Sequence, residues 1–271
     1  PLYSSAASDV YKRQQLVDKS LAKGLVNRIM RKLHHQFSEP DFVVHGSHRK
    51  QCKAVLARCK ERSSATLISQ RFKDTKNWEV IWGEWVLFSS QASLNAPRMP
   101  IESYDKIAFD LTFTNPKTSM GAGVFFVELS KHSLVRFIMR CGHEVKTPSD
   151  LWKFLQRITR QLLFAALELS RYNNGANGEG YTLDEYKVIA NGLSPQTQQY
   201  IIIDGFYIPL SYTIKPNKFG GVSRVVTVKT FMPEEYESSK RALENEKPLT
   251  PGRDFFDYTD VFPFLKNNIG S

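Results

Sequence analysis

Residues 124–140 read Val-Phe-Phe-Val-Glu-Leu-Ser-Lys-His-Ser-Leu-Val-Arg-Phe-Ile-Met-Arg, and the change of pattern inside this stretch decides the fold. The apolar run at residues 124–129 predicts a strand that stops at Ser130, whose hydroxyl can accept a backbone N–H of a following turn and so cap a helix. On that helix His132, Arg136 and Arg140 recur every four residues and share one face. Leu134, Val135, Phe137, Ile138 and Met139 form its apolar side. One imidazole and two permanent cations are thereby aligned where a phosphate can sit, although a solvated helix face has the same pattern.

Downstream, Thr147-Pro148-Ser149-Asp150 predicts a helix start, followed by a long amphipathic helix over residues 151–171. Residues 173–180 are rich in Asn and Gly and read as a loop, and residues 186–190 as a short strand. Asp204-Gly205 between residues 200–203 and 206–214 is a hairpin signal, because these two residues tolerate the positive φ angles of a two-residue turn. Residues 222–231 alternate, with Arg224, Val226 and Val228 on one face and Val225, Thr227 and Lys229 on the other. A polar helix is expected from Pro233 to about Asn245, then a tail containing Phe255-Phe256-Asp257-Tyr258 and Val261-Phe262-Pro263-Phe264-Leu265 that packs on the body or docks to a protein partner.

Upstream, residues 15–37 carry apolar residues at helical spacing and residues 49–61 predict a second helix. From Trp78 the period becomes two, around Gly83 and again over residues 107–114, which predicts a small antiparallel sheet with its tryptophans in the core. The expected organisation is a basic helical region at 15–75, an α+β domain at 76–246 and an aromatic tail at 247–271. Residues 1–14 lack apolar periodicity and resemble translated adapter read-through of the kind found at the ends of environmental sequence fragments, so they are set aside from the fold. The fold class is α+β: a helical basic N-terminal part, then a mostly antiparallel sheet with two packed helices.

The net charge of +10 is concentrated near the start, where residues 1–75 hold fifteen Lys and Arg against six Asp and Glu. A segment of that sign draws polyanions by counterion release, so RNA or DNA is the expected partner, with Lys19, Lys23, Arg28, Arg31 and Lys32 as contacts. A merely solvated basic surface is the alternative. No apolar run is long enough to cross a bilayer, so no membrane partner is expected. Three cysteines are too few for a disulfide framework and point to a reducing, cytoplasmic setting. His45, His48, Cys52 and Cys59 lie close together but miss the paired spacing of zinc modules, so no metal site is assigned. There is no phosphate-binding or dinucleotide glycine motif, and neither Ser130 nor Thr227 has the context of a Ser-His-Asp nucleophile.

The element order of residues 124–245, with His132-x3-Arg136-x3-Arg140 near its start and Arg224-Val225-Val226-Thr227-Val228-Lys229-Thr230 near its end, resembles the small metal-independent ribonuclease toxins of the RelE and BrnT kind. In BrnT-like members a His-Ala-x2-Arg-x3-Arg helix start and a closing Val-Thr-Val-type strand recur, and Ser133 stands here at the alanine position. The resemblance covers less than half of the chain. It implies endoribonuclease activity without metal or cofactor and a site made of His132, Arg136, Arg140, Arg224, Thr227 and Lys229. Such cleavage needs a base for the 2′-hydroxyl, cations for the phosphorane and a proton for the leaving oxygen. A non-catalytic nucleic-acid-binding protein, or a structural protein of a phage or mobile element, is the alternative.

Overall fold

The computed structural model describes residues 18–36, 47–72, 78–89, 99–114, 125–140, 145–173, 198–216, 222–233, 236–237, 239–240, 244, 248–250, 252 and 254. The expectations placed on residues 1–14, on His45, on the strand at 186–190 and on the aromatic tail from Phe255 lie outside them. In chain order the elements are α1 (Lys19–Gln36), α2 (His48–Glu61), β1 (Ala65–Phe72), β2 (Trp78–Phe88), β3 (Lys106–Thr114), β4 (Phe125–Ser130), α3 (Lys131–Arg140), α4 (Pro148–Asn173), β5 (Gln198–Ile203), β6 (Phe206–Pro216), β7 (Val222–Val228) and β8 (Met232–Pro233).

Two antiparallel meanders, β1 to β4 and β5 to β7, make one sheet of order β1-β2-β3-β4-β7-β6-β5, with β8 paired to β6. They join through β4 and β7, which run parallel with Val127 opposite Val226 and Leu129 opposite Val228. The sheet is therefore mixed at this one seam, because α3 and α4 carry the chain across between its halves. The Asp204-Gly205 turn has φ of 50° and 73°, as a two-residue primed turn requires.

Period-two alternation puts Phe109, Phe125, Val127, Leu129, Val226 and Val228 on one face of the sheet, where they share a core with α1, α3 and α4. Leu25, Val26, Ile29, Met30 and Leu33 of α1 are buried in that core. The α+β class stands, with three helices on this face instead of two. The expected boundary at residue 75 falls inside the β1–β2 hairpin, where Phe72 pairs with Trp78, and residues 65–72 are strand, not part of a helical region.

On the opposite face α2 covers the β1–β2 end, burying Cys52 and Val55 against Ala65, Val80 and Trp82. Arg58 fixes this helix, donating from Nε and Nη2 to Glu84 Oε2 at 2.9 and 2.6 Å, while Ser64 Oγ donates to Glu84 Oε1 at 2.9 Å. Trp82 and Trp85 are core residues, and Trp85 Nε1 donates to Thr159 Oγ1 of α4 at 3.1 Å. Among the described residues no helix is long and apolar enough to cross a membrane.

Residues 78–88 form one continuous strand, and the bulge lies in its partner β1 between Leu67 and Ser69. Gly83 is required because the Phe109 ring occupies the space where a Cβ would be, 2.7 Å from the Asp110 carbonyl oxygen. Gly83→Ala is expected to cost about 3 kcal/mol, read as a lower urea midpoint with unchanged slope, since both obstacles sit in a packed sheet.

Candidate anion site on the third helix

Ser130 ends β4 and caps α3 as its sequence indicates: its Oγ accepts the Ser133 N–H at 3.0 Å. Ser133 is fully buried and returns a bond from its own Oγ to the Ser130 carbonyl at 2.9 Å, so the start of α3 is held at both ends of the first turn. The helix is anchored on its inner side by Phe137, which stacks on Phe154 at 3.7 Å between ring centroids and meets Phe206 and Phe231 edge-on or tilted. With the apolar side fixed inward, the polar stripe faces out. His132 and Arg136 are exposed and Arg140 is half-buried.

That stripe forms one wall of a concavity of about 390 Å³ lined by Lys19, His132, Val135, Arg136, Met139, Arg140 and Tyr236. Three separate segments meet there: the first turn of α1, the outer face of α3, and Tyr236, three residues past the end of β8. Among the described residues no carboxylate lines it, and no hydrogen bond or ion pair engages the side chain of His132 or Arg136. The His132 imidazole is held below its ordinary value of 6.5, first by partial desolvation and then by the positive charges of Arg136, Lys19 and Arg140. The neutral ring, which can accept a proton, is thereby favoured.

Arg140 has a different task. Its Nη1 donates to the Phe231 carbonyl and, at 3.3 Å, to Thr230 Oγ1, and its guanidinium lies 5.3 Å from the centre of the Tyr236 ring. It ties the end of α3 to the segment after β7 and places Tyr236 beside the stripe, a positioning role that a planar, multidentate cation fills well.

The sheet residues expected to complete the site do not reach it. Arg224 pairs with Phe125 and so lies on the helix-covered face, about 17 Å along β4 from Ser130, the end at which α3 begins. Its Nε is buried without a hydrogen-bond partner. Thr227 lies on the other face, where its Oγ1 donates to Glu128 Oε2 at 3.4 Å beside the Lys106–Glu128 ion pair of 3.1 Å. Lys229 is exposed just beyond β7, its N–H bonded to the Pro209 carbonyl, and does not line the concavity.

Of the α1 cations, Lys19 joins His132 and Arg136, while Lys23, Arg28 and Arg31 are exposed along the helix and Lys32 reaches Ser63 Oγ at 3.3 Å near the other end. Tyr236 was not legible as a site residue, since it stands alone in a polar stretch. Cys52 and His48, from the His/Cys cluster, approach to 3.4 Å on α2, and no group of three metal-binding side chains occurs among the described residues. No protein family, curated protein or solved structure matches the chain.

Proposed function

We propose that the chain acts on RNA as a metal-independent endoribonuclease, with the α3 concavity as its site. The observation that supports this reading is the convergence of Lys19, His132 and Arg136, from two helices, around one open concavity that no described carboxylate lines. A scissile phosphate seated on Arg136 and Lys19 has its negative charge offset by two fixed cations, which gain most as the phosphorane forms. The neutral His132 removes the 2′-hydroxyl proton, O2′ bonds to phosphorus, and the bond from phosphorus to O5′ breaks. The leaving O5′ takes a proton from water, and His132 returns its own to solvent. The products are a 2′,3′-cyclic phosphate and a 5′-hydroxyl. Exposed Lys23, Arg28 and Arg31 extend the positive surface along α1 toward flanking phosphates.

Non-catalytic RNA binding is favoured by one feature: among the described residues, the concavity holds a single imidazole and no carboxylate that could act as a second proton carrier. Incubation with RNA in EDTA separates the two, since only the enzyme shortens it. Both readings share a salt test. Affinity for single-stranded RNA is expected to fall steeply with salt, and Lys19→Gln with Arg136→Gln to flatten the log–log slope by about 0.7 for each lost phosphate contact. A slope unchanged by both substitutions places the RNA elsewhere.

A further inference from the structure

The concavity has two unlike halves. On α3, His132, Arg136 and Arg140 form one stripe, and Val135 and Met139, four residues apart, form an apolar stripe directly beside it. Val135 and Met139 are each 8% exposed, at the edge between core and solvent, and Tyr236, 6% exposed, lines the same concavity. A bare phosphate uses only the first half. The volume of about 390 Å³ falls at the lower end of the range that holds small organic ligands, roughly 300–1,000 Å³.

We propose that the concavity takes a single unstacked nucleotide, its phosphate on Lys19 and Arg136 beside His132 and its base against Val135, Met139 and Tyr236. This rests on the reading of the same face as an RNA site and adds the substrate class: single-stranded RNA with one base turned out of the stack. A duplex keeps its bases stacked and paired, so it presents phosphate to the cations but nothing to the apolar half. A base against an aromatic and aliphatic wall gains affinity with little sequence preference. Arg140 belongs to this arrangement as a positioning residue, because its contacts with Phe231, Thr230 and the Tyr236 ring hold the far wall in place.

The test is calorimetric titration of the full chain with three probes at one salt concentration: inorganic phosphate, ribose 5-phosphate and adenosine 3′-monophosphate. The expected result is that the nucleotide binds about tenfold or more tightly than ribose 5-phosphate. Arg136→Gln should weaken both by a similar factor. Val135→Thr, which keeps the shape but places a hydroxyl in the wall, should remove most of the nucleotide's advantage and leave ribose 5-phosphate unchanged. Met139→Gln serves the same comparison if Val135→Thr does not fold.

Equal affinity for nucleotide and sugar phosphate overturns the base subsite while leaving the phosphate site standing. A nucleotide advantage that survives both wall substitutions also overturns it, since the base then rests elsewhere. Failure of all three probes to bind removes the RNA-site reading itself.

Discussion

His132→Ala is expected to lower RNA cleavage by about a thousandfold, within the range of roughly 10²–10⁴ that a positioned acid–base group contributes. The imidazole is exposed and bonded to nothing described, so thermal unfolding of the variant should match that of the parent. The pH profile carries the sharper signature. Cleavage requires the unprotonated ring, so kcat/KM, which reports the free protein, rises with pH, and its acidic limb should have a midpoint below 6.5, because desolvation and the neighbouring Arg136, Lys19 and Arg140 hold the ring below that value. Arg136→Gln removes one of those charges and should move the limb upward. In stability the sign is equally defined: the unfolded chain binds the proton more readily, so stability increases with pH through the window below 6.5. A midpoint above 6.5 would mean that an anion, not a cation, dominates the ring's surroundings.

Phe137→Ala is expected to cost about 3–5 kcal/mol, the range for deleting a fully buried aromatic ring. Phe137 is inaccessible to solvent and lies among Phe154, Phe206 and Phe231, so it joins α3 to α4, to the start of β6 and to the segment after β7. Removing it leaves a cavity that three rings from separate elements cannot close together. It also frees the outer face of the helix, so cleavage should fall further than the loss of folded protein explains. Arg136→Ala, on the exposed side one residue away, should change stability by less than about 0.5 kcal/mol. The contrast is read by urea titration of the two variants.

Much of the local structure was legible because it depends on neighbours in sequence. Ser130 announces the end of a strand and the start of a helix, Asp204-Gly205 can form only a narrow set of turns, and the spacing of Leu25, Val26, Ile29, Met30 and Leu33 defines the inner side of α1. The join between the two meanders was not legible, since parallel pairing of β4 with β7 depends on two helices and two strands that intervene. For the same reason α1 read as a separate basic module, although its apolar side fills the main core and its Lys19 completes the site.

Half of the expected catalytic set fell away, and only part of the reason is present in the sequence. Arg224 and Thr227 are three residues apart on a strand, so their side chains leave opposite faces and cannot serve one concavity. Arg224 shares the helix-covered face with α3 but lies too far along the strand, which follows from the β4–β7 register. The helix half stayed together because intervals of four keep side chains on one face. Lys19 and Tyr236 lie 117 and 100 residues from Arg136 in sequence, and only packing of α1 and of Tyr236 against α3 brings them to it.

The most direct measurement compares two substrates in EDTA: a short single-stranded RNA, and the same sequence with a 2′-deoxy sugar at the cleaved position. The expected result is cutting of the RNA alone, leaving a 2′,3′-cyclic phosphate, with no cutting by the His132→Ala, Arg136→Ala double variant. Equal cutting of the deoxy substrate, or unchanged cutting by the double variant, would contradict 2′-hydroxyl attack at the α3 concavity.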